Sequence, residues 1–165
     1  MCSSDLSSGE ESGTLQMIIQ DFFKNRADYW DTQILATDIS TQVLDKALAG
    51  VYSGESVAAL PEAWKKSYFM KQDEQNYALT DAIKNRITYR RFNLMDDHFP
   101  FKKPFHVIFC RNVMIYFDNP TRNAVVEKFY NVLEDGGYLF IGHSESLHNT
   151  DTLFKYIRPA VYQKI

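Results

Sequence analysis

The sequence predicts an open, mostly parallel α/β sheet, and three observations carry that prediction. Short apolar runs ending in polar residues, QILATD at 33–38, HVIFCRN at 106–112 and YLFIGH at 138–143, suit strands buried on both faces. Stretches of helical spacing lie between them, in the rhythm strand, helix, insert, strand, helix, strand, hairpin. The chain has 165 residues, 45% hydrophobic and 15% aromatic, enough for one compact domain with a substantial core. Sheets of this class bind ligands at the carboxyl ends of their strands, where the topology switches.

Residues 1–13, MCSSDLSSGEESG, carry five Ser and two Gly and read as an irregular start and turn. From Thr14 to Lys24, Leu15, Ile18, Ile19, Phe22 and Phe23 repeat at the spacing of an amphipathic helix. After the strand ending at Asp38, Val43, Leu44, Ala47 and Leu48 resume helical spacing, and Gly50 is a natural stop. A polar helix from Pro61 to Lys66 precedes the short aromatic runs SYFMKQ, NYALTD and RITYRRF, read as a small antiparallel insert at about 67–92 leading into a strand. Beyond HVIFCRN, Asp118 or Asn119 caps a helix from about Pro120 to Leu133. Asp135-Gly136-Gly137 reads as a turn, and LFKYIRPAVYQKI as a closing hairpin bent at Pro159 on a sheet edge.

A net charge of −3 argues against non-specific nucleic-acid binding, which needs a basic face. No apolar run is long enough to span a membrane, and no secretory signal opens the chain, so a cytoplasmic protein is expected. Cys2 and Cys110 cannot make a four-thiolate zinc site, and no metal centre is expected.

Four places have the chemistry of a site. Asp38 stands at a strand's carboxyl end, about 27 residues after the Gly9-Glu10-Glu11 turn. That is near the spacing at which nucleotide-binding α/β folds place a ribose-binding acid; the competing reading is a cap for the following helix. The turn itself opens a helix with two carboxylates, which favours an ammonium or sulfonium ligand over a phosphate; the competing reading pairs Glu10 and Glu11 with the helix dipole. Cys110, Arg111 and Asn112 emerge together at a strand end. Cys110, with no histidine in a pairing context, reads as a small buried residue rather than a nucleophile, whereas Arg111 there must find an anion or a carbonyl. His143-Ser144-Glu145-Ser146 has the spacing of neither a nucleophile elbow nor a metal motif and reads as a loop beside the crevice.

Together SSGEES, ATDIS followed by LDKALAGVY, FNLMDD, and FCRNVMIYF followed by DGGYLFIGHSES occur in the order and spacing of one family. The chain resembles the catalytic domain of CheR-type chemotaxis receptor methyltransferases from about Ser7 to Ile165. The resemblance implies a Rossmann-like S-adenosylmethionine-dependent fold with an inserted β-subdomain. It also implies methyl transfer to glutamate side chains of the receptors' cytoplasmic domain, leaving S-adenosylhomocysteine. By resemblance, Glu11, with Glu10 second, meets the cofactor's amino-acid moiety; Asp38 binds the ribose; Asn93 and Leu94 flank the adenine; Cys110 and Arg111 line the crevice; Tyr116 lies near the transferred methyl, with Arg111 or Tyr116 orienting the groups. The insert corresponds to the subdomain that in some members docks a receptor's C-terminal pentapeptide by strand addition. MCSSDL stands where the family's first strand is expected, Leu6 replaces the usual Cys, and Ser12-Gly13-Thr14 replaces Pro-Tyr-Ser. A missing first strand would leave a sheet edge open to self-association. The alternative function is a catalytically inactive or truncated interaction module of the same fold that binds receptor tails or signalling partners.

Overall fold

The computed structural model describes residues 8–24, 30, 32–147 and 153–165. The expected absence of a first strand rests on residues 1–7 and falls outside them. The chain divides into two compact units, Leu6–Arg91 and Phe92–Ile165.

In the first unit, helix α1 (Glu10–Phe23) begins four residues before the predicted start, because Gly9 takes a left-handed conformation (φ 89°) and the Gly13 N–H already donates to Gly9 O at 3.0 Å. Ser12, Gly13, Gln16 and Met17 form its buried face. The apolar spacing identified the helix but not its covered side: Ile18 and Phe22 are 48% and 55% exposed. Strand β1 (Ile34–Asp38) runs into helix α2 (Thr41–Ala49), whose Ser40 cap accepts the Val43 N–H and which stops at left-handed Gly50. Leu44 and Ala47 are buried as predicted, whereas Leu48 faces solvent.

A three-stranded antiparallel sheet follows, built from β2 (Val51–Ser53), β3 (Phe69–Lys71) and β4 (Asn76–Leu79) in the order β2-β4-β3. Helices α3 (Gly54–Ala58) and α4 (Glu62–Tyr68) connect β2 to β3. The sheet therefore starts at Val51, earlier than the insert read at about 67–92. After helix α5 (Asp81–Lys84), strand β5 (Ile87–Arg91) lies outside the antiparallel sheet and pairs parallel with β1. Tyr89, Arg90 and Arg91 thus belong to the parallel pair. Its register sets Asp38 opposite Arg91 at the carboxyl end.

In the second unit, the strands are β6 (Phe105–Cys110), β7 (Leu133–Ile141), β8 (Lys155–Arg158) and β9 (Val161–Gln163), ordered β6-β7-β9-β8. Only β6 and β7 are parallel; β9 and the edge strand β8 form the expected hairpin through Pro159 and Ala160. Helix α6 (Asn119–Val132) starts at Asp118, whose carboxylate accepts the Thr121 N–H at 3.0 Å, and buries Val125, Val126 and Phe129. These pack with Ile108, Cys110, Leu139 and Ile141 in the core. The predicted 135–137 turn is instead part of β7. Gly136 N–H donates to Lys164 O and Lys164 N–H to Gly137 O, so the diglycine pairs with the chain end and makes an irregularity in the strand, not a reversal.

Candidate functional site

In Leu6–Arg91, the turn into α1 brings Glu10 back onto Ser8: its carboxylate accepts the Ser8 N–H at 3.0 Å and the Ser8 hydroxyl at 2.6 Å. Both Glu10 oxygens are thereby engaged locally. Glu11, the first-choice ligand, is half-buried one residue on. Beneath the turn, the Ser12 hydroxyl donates to Gly9 O at 3.0 Å and lies 3.0 Å from the Tyr89 hydroxyl. The Tyr52 hydroxyl is buried without a hydrogen-bond partner. Burial first, then Tyr89 and Glu10, pushes its pKa upward, so the phenol stays protonated.

Asp38 ends β1 half-buried and accepts the Ser40 N–H at 2.7 Å through Oδ1. Helix capping is done by Ser40 two residues later, so the cap reading of Asp38 gives way to a turn-forming carboxylate. Arg91 braces the same loop, its Nε donating to Ile39 O at 3.2 Å.

In Phe92–Ile165, Asn93 Oδ1 accepts the Met95 N–H at 3.0 Å, and the Lys128 ammonium donates to Leu94 O and Asp96 O at 2.8 Å each. Leu94 is buried, and the 93–96 turn is held from two sides. Cys110 is fully buried in the core, in keeping with its reading as a small packed residue. Arg111 follows it half-buried; Asn112 is left-handed (φ 59°); Met114 is fully buried; Tyr116, in the 3-10 turn Met114–Tyr116, is 77% exposed.

Glu145 belongs to the 143–146 segment read from the sequence as a loop beside the crevice, where it had no role of its own. Only 7% exposed, its carboxylate accepts backbone N–H groups from Gly142, Asn112 and Ile115. It is committed to the backbone, and His143 and Ser144 are exposed, which agrees with the loop reading of that segment. The available signal was the glycine three residues earlier. The expected site residues thus fall in both units: Glu11 and Asp38 in one, Asn93, Leu94, Cys110, Arg111 and Tyr116 in the other. Among the described residues no group of His, Cys, Asp and Glu is arranged to hold a metal ion.

Residues 2–162 match the family model described as "CheR methyltransferase, SAM binding domain". The chain belongs to the CheR methyltransferase family. This CheR-family chain is 40% identical over 162 residues to the chemotaxis protein methyltransferase of Borreliella burgdorferi, covering 98% of the chain and 57% of that relative. A probable chemotaxis protein methyltransferase of Rhizobium etli is 41% identical over 142 residues, covering 84% and 52%. The CheR-family chain spans about half the length of the curated relatives it matches. Among solved structures, the glycopeptide N-methyltransferase MtfA complexed with sinefungin is similar at TM-score 0.47 and 16% identity, over 85% of this chain and 44% of that one. The fold class of the CheR-family chain is the α/β, Rossmann-like class of S-adenosylmethionine-dependent methyltransferases.

Proposed function

We propose that the chain is the cofactor-binding part of a methyltransferase that transfers a methyl group from S-adenosylmethionine to glutamate side chains on the cytoplasmic domain of chemotaxis receptors. The family match across residues 2–162 carries this reading. The residues present fit the cofactor. Asp38 is a strand-end carboxylate with one oxygen spent on its own turn, which leaves an acceptor for ribose hydroxyls. Glu10 and Glu11 put negative charge at the turn, suited to a ligand carrying ammonium and sulfonium groups.

In the first unit, Glu11 is assigned to the amino-acid moiety and Asp38 to the ribose. In the second, Asn93 and Leu94 are assigned to the adenine, Arg111 to the crevice wall with fully buried Cys110 packed behind it, and Tyr116, with Arg111, to the reacting groups. S-adenosylmethionine supplies an electrophilic methyl on a sulfonium. A substrate glutamate, with a reference pKa of about 4.3, is already a carboxylate at neutral pH, so no general base is needed. The protein's work is then to position: Arg111 is suited to orient a carboxylate through its fork of donors, and alignment for in-line attack does most of the rest.

The partner is a receptor in the cytoplasm. None of the helices among the described residues is long and apolar enough to cross a membrane. The edges of the β2-β4-β3 sheet are assigned to receptor-tail docking by strand addition. A calorimetric titration with S-adenosylhomocysteine tests the reading. One-to-one binding that is lost in Asp38→Ala is expected; a folded chain that binds none refutes it and leaves an interaction module.

A further inference from the structure

The Glu145 carboxylate reaches across from the loop after β7 to the loop after β6. It accepts the Asn112 N–H at 3.2 Å and the Ile115 N–H at 3.1 Å, on either side of fully buried Met114, and the Gly142 N–H in its own turn. The segment between Arg111 and Tyr116 is therefore tied at two backbone points to one buried side chain.

The surroundings leave this staple little room. A Cβ on Gly142 would lie 2.6 Å from Asn112 Oδ1 and 2.7 Å from Glu145 Oε2, so only glycine admits the contact as it stands. Asn112 holds a left-handed backbone, which asparagine tolerates better than most residues. The far end of the Glu145 loop is fixed as well: the Leu147 N–H donates to the Tyr162 hydroxyl at 3.1 Å, and Leu147 is 1% exposed. The 3-10 turn closes with Tyr116 N–H on Val113 O and Phe117 N–H on Met114 O. A carboxylate buried this deeply and committed to three backbone donors is a costly feature to place in a loop, because removing it strands all three donors. Fold stability is served nearby by apolar packing, since Met114, Ile141 and Leu147 are all buried in one core.

We propose that Glu145 is a positioning residue for methyl transfer: through Asn112 and Ile115 it fixes the spacing of Arg111 and Tyr116, which flank the stapled segment. This rests on the methyl-transfer reading above, in which those two side chains serve the reacting groups. In-line displacement is sensitive to misplacement of about 1 Å, which costs roughly 100-fold in rate. A loosened loop should therefore cost turnover far more than cofactor affinity.

The test uses the full chain with Glu145→Gln, which keeps the side chain's size but turns an amide NH2 toward a backbone N–H. Gly142→Ala disturbs the same contact from the other side. In both variants, kcat for receptor methyl-ester formation, counted per cofactor-binding site, should fall about 10- to 100-fold, while the Kd for S-adenosylhomocysteine changes less than about threefold. Amide exchange at Asn112 and Ile115 should accelerate about tenfold or more. A merely structural role would lower the folded fraction and leave kcat per site at the wild-type value; that result overturns the proposal. So does unchanged exchange at both amides. A wild-type chain that neither binds S-adenosylhomocysteine nor methylates receptor defeats the parent reading and the positioning role with it. The exchange measurement reports on the staple independently, so the two failures are distinguishable.

Discussion

Replacing Gly9 with alanine probes how the turn into α1 is built. The new Cβ would lie 2.8 Å from Ala47 Cβ and 3.0 Å from Ala47 Cα on α2, and 3.2 Å from the Tyr52 hydroxyl. Two of these three contacts belong to a helix backbone or its first carbon and cannot swing aside. A left-handed alanine costs about 1–2 kcal/mol, and forcing a methyl into a filled space costs about 1–3 kcal/mol more, so Gly9→Ala should lose about 2–5 kcal/mol. Gly50→Ala is the internal control. It has the same sign of φ (62°), but its nearest neighbour, at 3.2 Å, is Lys84 Cδ on a flexible side chain, so only the backbone cost of about 1–2 kcal/mol remains. Both glycines lie in Leu6–Arg91, as do Trp30 and Trp64, the two tryptophans of the chain. Tryptophan fluorescence during urea unfolding therefore reads the relevant unit for both variants. A Gly9→Ala loss no larger than that of Gly50→Ala, at equal m-values, would refute the close-approach argument.

Asp38→Asn keeps an acceptor for the Ser40 N–H but removes the charge, so it should retain stability while weakening S-adenosylhomocysteine binding by about 10-fold or more in calorimetry; Asp38→Ala should lose both. Tyr52→Phe removes a buried hydroxyl that has no partner and should leave the thermal midpoint unchanged or raise it by an amount worth about 1 kcal/mol; a clear drop would mean that the hydroxyl is paired in solution. Asp118 holds its carboxyl pKa below the usual value through hydrogen bonds from Thr121, side chain first and backbone second. Because the folded state binds that proton less tightly than the unfolded state, its contribution is complete above the ordinary carboxylate range and fades as pH falls through it. The unfolding midpoint of Asp118→Ala should lie below wild type at pH 7, and the gap should close in acid.

Elements with a strong period and a capping signal were legible in the sequence. The helix at 41–49 has Ser40 before it and Gly50 after it, the helix at 119–132 has Asp118 and Pro120, and the strands at 34–38 and 105–110 are continuous apolar runs that break into polar residues. The antiparallel sheet was harder because β2 and β3 are three residues each, too short to show alternation, and β2 follows Gly50 directly. The buried face of α1 was misjudged because the close packing at Gly9 and Gly13 selects small residues there, while Ile18 and Phe22 lie outside. The strand-end positions of Asp38 and Cys110 follow from the apolar runs that precede them and were visible early. The backbone contacts of Glu145 were not, since they join two loops that meet only in the folded chain.

The central claim is glutamate methylation, and one assay addresses it directly: incubation of the full chain with methyl-labelled S-adenosylmethionine and a chemoreceptor cytoplasmic fragment, followed by mild alkali. Label on the receptor that is released as methanol, and that is absent with Asp38→Ala, is the expected result. Label that resists alkali, or none on the receptor from a chain that demonstrably binds S-adenosylhomocysteine, would contradict it.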